Sequence, residues 1–381
     1  MRPRHLLAAW TVAGMFMAGG GAFGVVSGQA VRHPDPSAPL AQRLAWGLEQ
    51  GERLGGSAFW VGYSIERLMN ERSFIGSWSG EREGDRRTLE EIIAGRPPAA
   101  ADNRAALEKA ARQALDGIDG RTTPEKLVRK DIGLLLKLTP ASGRTVQDVR
   151  VSDLKLRVDL EGWPLAWLGP ASEAESVDLL KALFKDTDGK SRERLIHAVA
   201  MHRAPEVVVP FLAGVVSSSE PAKVLRAAAF GLGEQSDPRA VAALAKTLSS
   251  DRPTEVKKAA VWGLAENGHP SALEALIGTA TAAPDPAVRK EAVMGLAQKA
   301  SAKAVRTLER LAFDDRDVEV QKRAVFALAE LPDKEALPYL VRVAKTHHRP
   351  EVRKAAIFAL GDMGGPEVVA VLAEIARGPA R

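Results

Sequence analysis

The residues best placed to do chemistry form a row of cations. Arg194, Arg226, Lys258, Lys290, Lys322 and Lys354 recur at intervals of 32 residues. A regular row of positive charge can grip an anionic polymer or an acidic protein surface. The alternative is a solvated helix face, since Glu255, Glu319 and Glu351 lie three residues before Lys258, Lys322 and Lys354 and can pair with them. A second row is mostly acidic: Glu234, Glu266, Glu330 and Asp362, with His202 and Gln298 at the same positions. Carboxylates near a helix C-terminus face the negative end of its dipole. The expected compensation is pairing with cations of the next unit or stitching within the stack.

Catalytic constellations are not evident. The chain has no cysteine, which excludes disulfides, thiolate metal sites and a cysteine nucleophile. No phosphate-binding glycine loop or nucleophile elbow is present. His197 and His202 are five residues apart, off the spacing that puts two metal ligands on one helix face. The expectation is a chain without catalytic residues, metal or cofactor.

The same period governs the elements that must carry these rows. Units open at Ser191, Lys223, Glu255, Ala287, Glu319 and Glu351 without insertion. In the unit from Glu255 to Pro286, Val256, Ala259, Ala260 and Leu264 share one side of a first helix, and Leu273, Leu276 and Ile277 one side of a second. Glu266-Asn267-Gly268-His269-Pro270 separates the two. Leu232, Leu264, Leu296, Leu328 and Leu360 repeat in the first helices; Leu212, Leu244, Leu276, Leu308, Leu340 and Leu372 repeat in the second. Trp262 stands where other units have Phe230, Met294, Phe326 and Phe358, and reads as packing. One helix pair cannot bury its apolar face alone, so the units must stack into an α-solenoid.

Runs such as Pro286-Ala287-Val288-Arg289-Lys290-Glu291-Ala292 and Glu351-Val352-Arg353-Lys354-Ala355-Ala356 resemble short HEAT-like repeats of the kind first grouped with phycobilisome lyases. The resemblance covers residues 191–381 and implies a right-handed all-α solenoid, with Asp285, Arg289 and Asp317 resembling the Asp–Arg stitch between repeats of such stacks. Hydroxylases built on similar repeats use His-Glu pairs, and no histidine here precedes a glutamate. The family label alone implies one alternative, a bilin lyase-like enzyme; the basic row favours another, a nucleic-acid-binding repeat protein.

Ahead of the repeats, residues 1–30 read as an export signal. Arg2 and Arg4 precede an uncharged stretch from Leu6 to Ser27, and Gly28-Gln29-Ala30 offers small residues for cleavage. If it stays uncleaved, the stretch is long enough to anchor the chain in a membrane. The expected location is therefore outside the cytoplasm, periplasmic or secreted. Cleavage would lower the net charge from +5 to +3, too little to argue for nucleic acid. Residues 31–37 form a linker, and 38–170 a small α+β domain of unrecognised family. Within it Ser37 is expected to cap a helix with Leu40, Leu44 and Leu48 on one face. Ala58 to Ile65 and Ser73 to Ser79 read as strands of a hairpin, and Thr88 to Ala94 and Asp102 to Asp116 as helices. Asp131 to Thr139 is a strand. Val149 to Asp159 is another, with a bulge where the apolar phase slips, and Pro164 to Leu168 is expected to return antiparallel. Trp60, Trp78, Trp163 and Trp167 read as sheet core rather than a ligand platform. Residues 171–190 are a half-repeat capping the stack.

The function expected from these features is a non-catalytic scaffold that holds another protein. The second helices usually form the inner wall of such a stack, which singles out Arg306, Arg310, Arg342, Lys246 and Tyr339 as contacts.

Overall fold

A computed structural model describes residues 29–54, 57–71, 73, 75–76, 87–97, 126–139, 145–187, 189–299 and 301–377. The expected export segment up to residue 28, the helix over 102–116 and Trp78 lie outside them.

Five strands form one mixed sheet: β1 (Ala30–Arg32), β2 (Phe59–Asn70), β3 (Leu127–Leu138), β4 (Asp148–Asp153) and β5 (Leu165–Ala171), in the order β1-β5-β2-β3-β4. β2 pairs antiparallel with β3 along its full length, so the expected hairpin between 58–65 and 73–79 does not form. β5 runs parallel to β1 and β2 instead of returning antiparallel to β4. After Glu161-Gly162, both at positive φ, the chain crosses to the other side of the sheet. The phase slip after Val151 is the end of β4, not a bulge: Leu154 and Lys155 form a turn. A register shift does occur opposite Gly62 to Ser64, where Gly169 takes a φ of +86° that favours glycine.

Alternation along the strands separates two layers. Phe59, Val61, Tyr63, Ile65, Ile132, Leu134, Leu136 and Leu168 face α1 (Leu40–Arg53) and the repeats. Trp60, Leu135, Leu165 and Trp167 face α2 (Leu89–Ala94). Trp60 and Trp167 are thus core, while Trp163 is half-buried. Helix α1 presses on the sheet through Gly47 and Gly51; a Cβ at Gly51 would lie 2.3 Å from the ring of Phe59. Ser37 does not cap α1, because its hydroxyl bonds Asp35. The Leu40 amide donates instead to Glu175 Oε1 at 3.2 Å.

Thirteen further helices follow among the described residues. α3 (Glu173–Asp186) stands alone, held at its start by a Ser172/Glu175 capping box. Six antiparallel pairs come next: α4 (Gly189–Ala200) with α5 (Pro205–Val216), α6 (Ala222–Gly233) with α7 (Pro238–Ser249), and α8 (Thr254–Glu266) with α9 (Ser271–Ala282). The last three are α10 (Pro286–Gln298) with α11 (Ala302–Asp314), α12 (Val318–Ala329) with α13 (Asp333–Thr346), and α14 (Pro350–Met363) with α15 (Pro366–Arg377). Prolines at the first turn suit the helix starts, where an amide is unsatisfied anyway. Asp237 and Asp285 cap two of these with their side chains, and Ser301 and Asp317 cap two others.

The seam leucines of the first helices are fully buried, as are Leu212, Leu244, Leu276 and Leu340 of the second. Leu308 is nearly so, and Leu372 is only half-buried. Small residues let neighbouring first helices meet closely. The tightest point lies between α6 and α8, where a Cβ on Gly233 would come within 2.7 Å of Gly263 Cα and O.

Sheet and repeats share a single core that runs from Leu40 to Val368. At the joint, Tyr63, Ser176 and His202 are all buried. Ser176 Oγ lies 2.8 Å from Tyr63 Oη and 2.8 Å from His202 Nε2. His202 Nδ1 lies 3.2 Å from the Val199 carbonyl, so Nδ1 carries the proton. Ser176 then donates to Nε2 and accepts from Tyr63. This Ser–His contact is sealed on every side and acts as a joint. Burial, only partly countered by backbone bonds to Val199 and Ala198, pushes the His202 pKa down to about 4. The unfolded chain holds a proton on this ring below about pH 6.5. In the folded chain it is taken up only near pH 4. Its contribution is therefore complete above pH 6.5 and lost as pH falls from there to about 4. Unfolding midpoints measured across that interval should fall more steeply for the native chain than for His202→Gln, by about 3 kcal/mol in total. Equal slopes would place the joint's titration elsewhere.

Candidate functional site: the faces of the helical stack

The five first helices from α6 to α14 offer the same outward face, and four rows run across it from unit to unit. The outermost holds Lys223, Glu255, Ala287, Glu319 and Glu351. Next come the cations Arg226, Lys258, Lys290, Lys322 and Lys354. Beside them lie Phe230, Trp262, Met294, Phe326 and Phe358, and on the far edge Glu234, Glu266, Gln298, Glu330 and Asp362. Cation and apolar side chain are four residues apart in every helix, hence neighbours on one surface.

The apolar row is therefore not simply packing. Phe230 is 37% and Phe358 62% exposed, and Trp262, Met294 and Phe326 are half-buried. Phe326 and Phe358 meet edge to face at 6.4 Å. Trp262 Nε1 donates to Glu291 Oε1 at 2.5 Å, linking α8 to α10. A groove of about 420 Å³ opens across α8, α10 and α12, with Ala287, Lys290 and Met294 among its lining. Lys258, Lys322, Arg323, Glu291 and Glu319 surround it.

The cation row divides in two. Lys258 pairs with Glu255 at 3.6 Å and Lys322 with Glu319 at 3.0 Å, the surface pairing the spacing suggests. Arg194 is not part of the open row, because it is tied to Asp148 of β4. Arg226, Lys290, Arg323 and Lys354 have no ion pair among the described residues.

The acidic row makes no close ion pair across the stack. Glu234, Glu266, Glu330 and Asp362 are exposed and bridge to no described cation within 4 Å, although Glu266 attracts Lys299 of the next unit and Glu234 attracts Arg67 and Arg203 through space. At the same repeat position His202 is instead buried in the joint. Stitching falls to the next position along, which the sequence reading missed. Gln235 Nε2 donates to the Ala200 carbonyl at 2.8 Å, Asn267 Nδ2 to Gln235 O at 2.7 Å and Lys299 Nζ to Asn267 O at 2.8 Å. Each closes the free carbonyl end of the preceding first helix or the turn after it. Their spacing of 32 residues was the available signal.

The expected stitch through Asp285, Arg289 and Asp317 also needs correction. Arg289 grips Asp315 with two bonds of 2.9 Å, both side chains almost fully buried. Asp285 instead caps α10 and accepts from Thr254 Oγ1 at 2.8 Å; Asp317 caps α12. Those bonds hold the Asp285 carboxyl below the usual range, Thr254 first and the Ala287 amide second.

On the second-helix face, Lys246 of α7, Arg306 and Arg310 of α11 and Arg342 of α13 are exposed, whereas Tyr339 is half-buried against the core. Arg342 is engaged already, paired with Glu309 and lying 5.0 Å over the Phe313 ring. Neighbouring second helices are linked in the same manner by Lys345–Glu374 at 2.8 Å and by Lys303–Glu274. Among the described residues no three His, Asp or Glu side chains converge as a metal site, and no helix is long and apolar enough to cross a membrane.

Antiparallel pairs stacked in register, with layer-to-layer leucines and a free face on each side, define an α-solenoid of the HEAT type. A model of HEAT repeats matches residues 176–262, 241–317 and 310–381, more than half of the sequence, and the chain belongs to the HEAT-repeat family. Among solved structures, human deoxyhypusine hydroxylase in complex with glycerol is 19% identical, covering 54% of this chain and 80% of that one, with a TM-score of 0.25. YibA of Escherichia coli is 18% identical over 51% of this chain and 71% of its own, with a TM-score of 0.33. No curated protein sequence matches. A helical repeat scaffold of this kind is suited to protein interaction.

Proposed function

We propose that the chain is an exported, non-catalytic scaffold that holds a partner protein along its stack of helices. The observation that carries this reading is the continuous core beneath six helix pairs. It makes one continuous wall and leaves two long faces to the solvent. Export rests on the basic start and apolar run of the first 30 residues. If that run is retained, the scaffold is tethered to a membrane.

Two measurements test the proposal. Protease protection in whole cells and after opening of the envelope should place the repeats outside the cytoplasm. Crosslinking of the tagged protein, read by mass spectrometry, should recover the same partner repeatedly. Reversing Arg306, Arg310 and Arg342 to glutamate asks whether the second-helix face takes part: capture weakened about tenfold or more would put the partner there, as loss of charge complementarity does. Unchanged capture would remove these three arginines from the contact.

A further inference from the structure

We propose that the partner docks on the first-helix face, through a segment that is apolar along its middle and acidic along one edge. This rests on the scaffold reading above and names the surface and the chemistry it selects.

The apolar row is what sets this face apart. Single exposed apolar side chains are common, but a row repeated in register over five helices is a continuous patch. Covering it would remove apolar area from water at about 25 cal/mol per Å². The row is bordered by cations on one side only. Arg226, Lys290, Arg323 and Lys354 lack a carboxylate partner among the described residues. Around the central groove four cations face two carboxylates, so the groove favours an anionic group with apolar neighbours. Met294 and Phe326 would receive the apolar part.

The opposite edge fixes the orientation. Glu234, Glu266, Glu330 and Asp362 repel a chain that is acidic on both sides. They also argue against single-stranded nucleic acid, which seeks aromatics and cations but carries charge along its whole backbone. Neighbouring packed helices lie about 8–10 Å apart. A segment reaching from Arg226 to Lys354 therefore spans roughly 40 Å, about 12 residues if extended or about 25 if helical.

The test places a photocrosslinking amino acid at Met294 or Phe358, and separately at Arg306 or Arg310, in the full chain within the cells that make it. The crosslinked segment is identified by mass spectrometry, synthesised and titrated against the purified protein by fluorescence anisotropy. The expected segment combines apolar residues with acids. Its Kd should rise at least about tenfold in Lys290→Glu/Lys322→Glu/Lys354→Glu and with added salt. Phe326→Ala/Phe358→Ala should weaken it similarly, with circular dichroism unchanged in both variants. Crosslinks to a segment without acids, crosslinks from the second-helix positions alone, or displacement of the peptide by oligo(dT) would each overturn the assignment while leaving a scaffold. No crosslink from either face would take the scaffold reading with it.

Discussion

Asp315→Ala should destabilise the stack by about 3–5 kcal/mol, one of the largest single effects available in the repeats. The Arg289 guanidinium is almost completely buried. Its Nη1 still donates to the Ala283 and Pro284 carbonyls, at 2.8 and 3.1 Å. Without Asp315 its charge loses its paired counter-ion at an almost fully buried position. The joint replacement Arg289→Met/Asp315→Leu should recover much of the loss, because two apolar side chains carry no such desolvation cost. Urea denaturation followed by circular dichroism compares the three chains. If Asp315→Ala proves as stable as the native chain, water reaches Arg289 and the pair is not a sealed stitch.

Leu244→Ala should cost about 2–5 kcal/mol, and Leu372→Ala clearly less, although both occupy the same position in the repeat. Leu244 is fully buried and lies over the backbone of α8: a Cβ on Gly263 would sit 3.1 Å from one of its methyl carbons. Removing it leaves a cavity between two layers that glycine cannot fill. Leu372 is half-buried on α15 and has less to lose. Equal costs for the two would mean that the leucine ladder acts through local helix propensity and not through the seam.

The repeat was legible because its determinants are local and periodic. Leucines and alanines at fixed positions define the two helix faces, and Gly, Asn, Asp and Pro mark the turns between them. Partners were less legible. Arg289 has Asp285 four residues before it, the obvious helix neighbour, yet Asp285 is committed to capping α10 while Asp315 arrives from the end of α11. At the position two residues before the seam leucines, Trp262 and Phe326 do pack against the core, whereas Phe230 and Phe358 stand out from it. Two residues turn a helix by about 200°, so these positions face away from the seam. In the sheet, the strands β3 and β5 were visible as apolar runs, but their order was not. The pairing of β5 between β1 and β2 depends on where long connections lead the chain, and no local pattern records that.

A stacked solenoid is also a spring, and its compliance is the sum of its layers. Where side chains separate two helices they can slide or tilt under load. At Gly233 and Gly263 backbone rests on backbone, with no side chain between the two helices there to give. Bending applied along the molecule should therefore be taken up at the other layers, so the second and third units keep their spacing while the remainder adjusts its curvature.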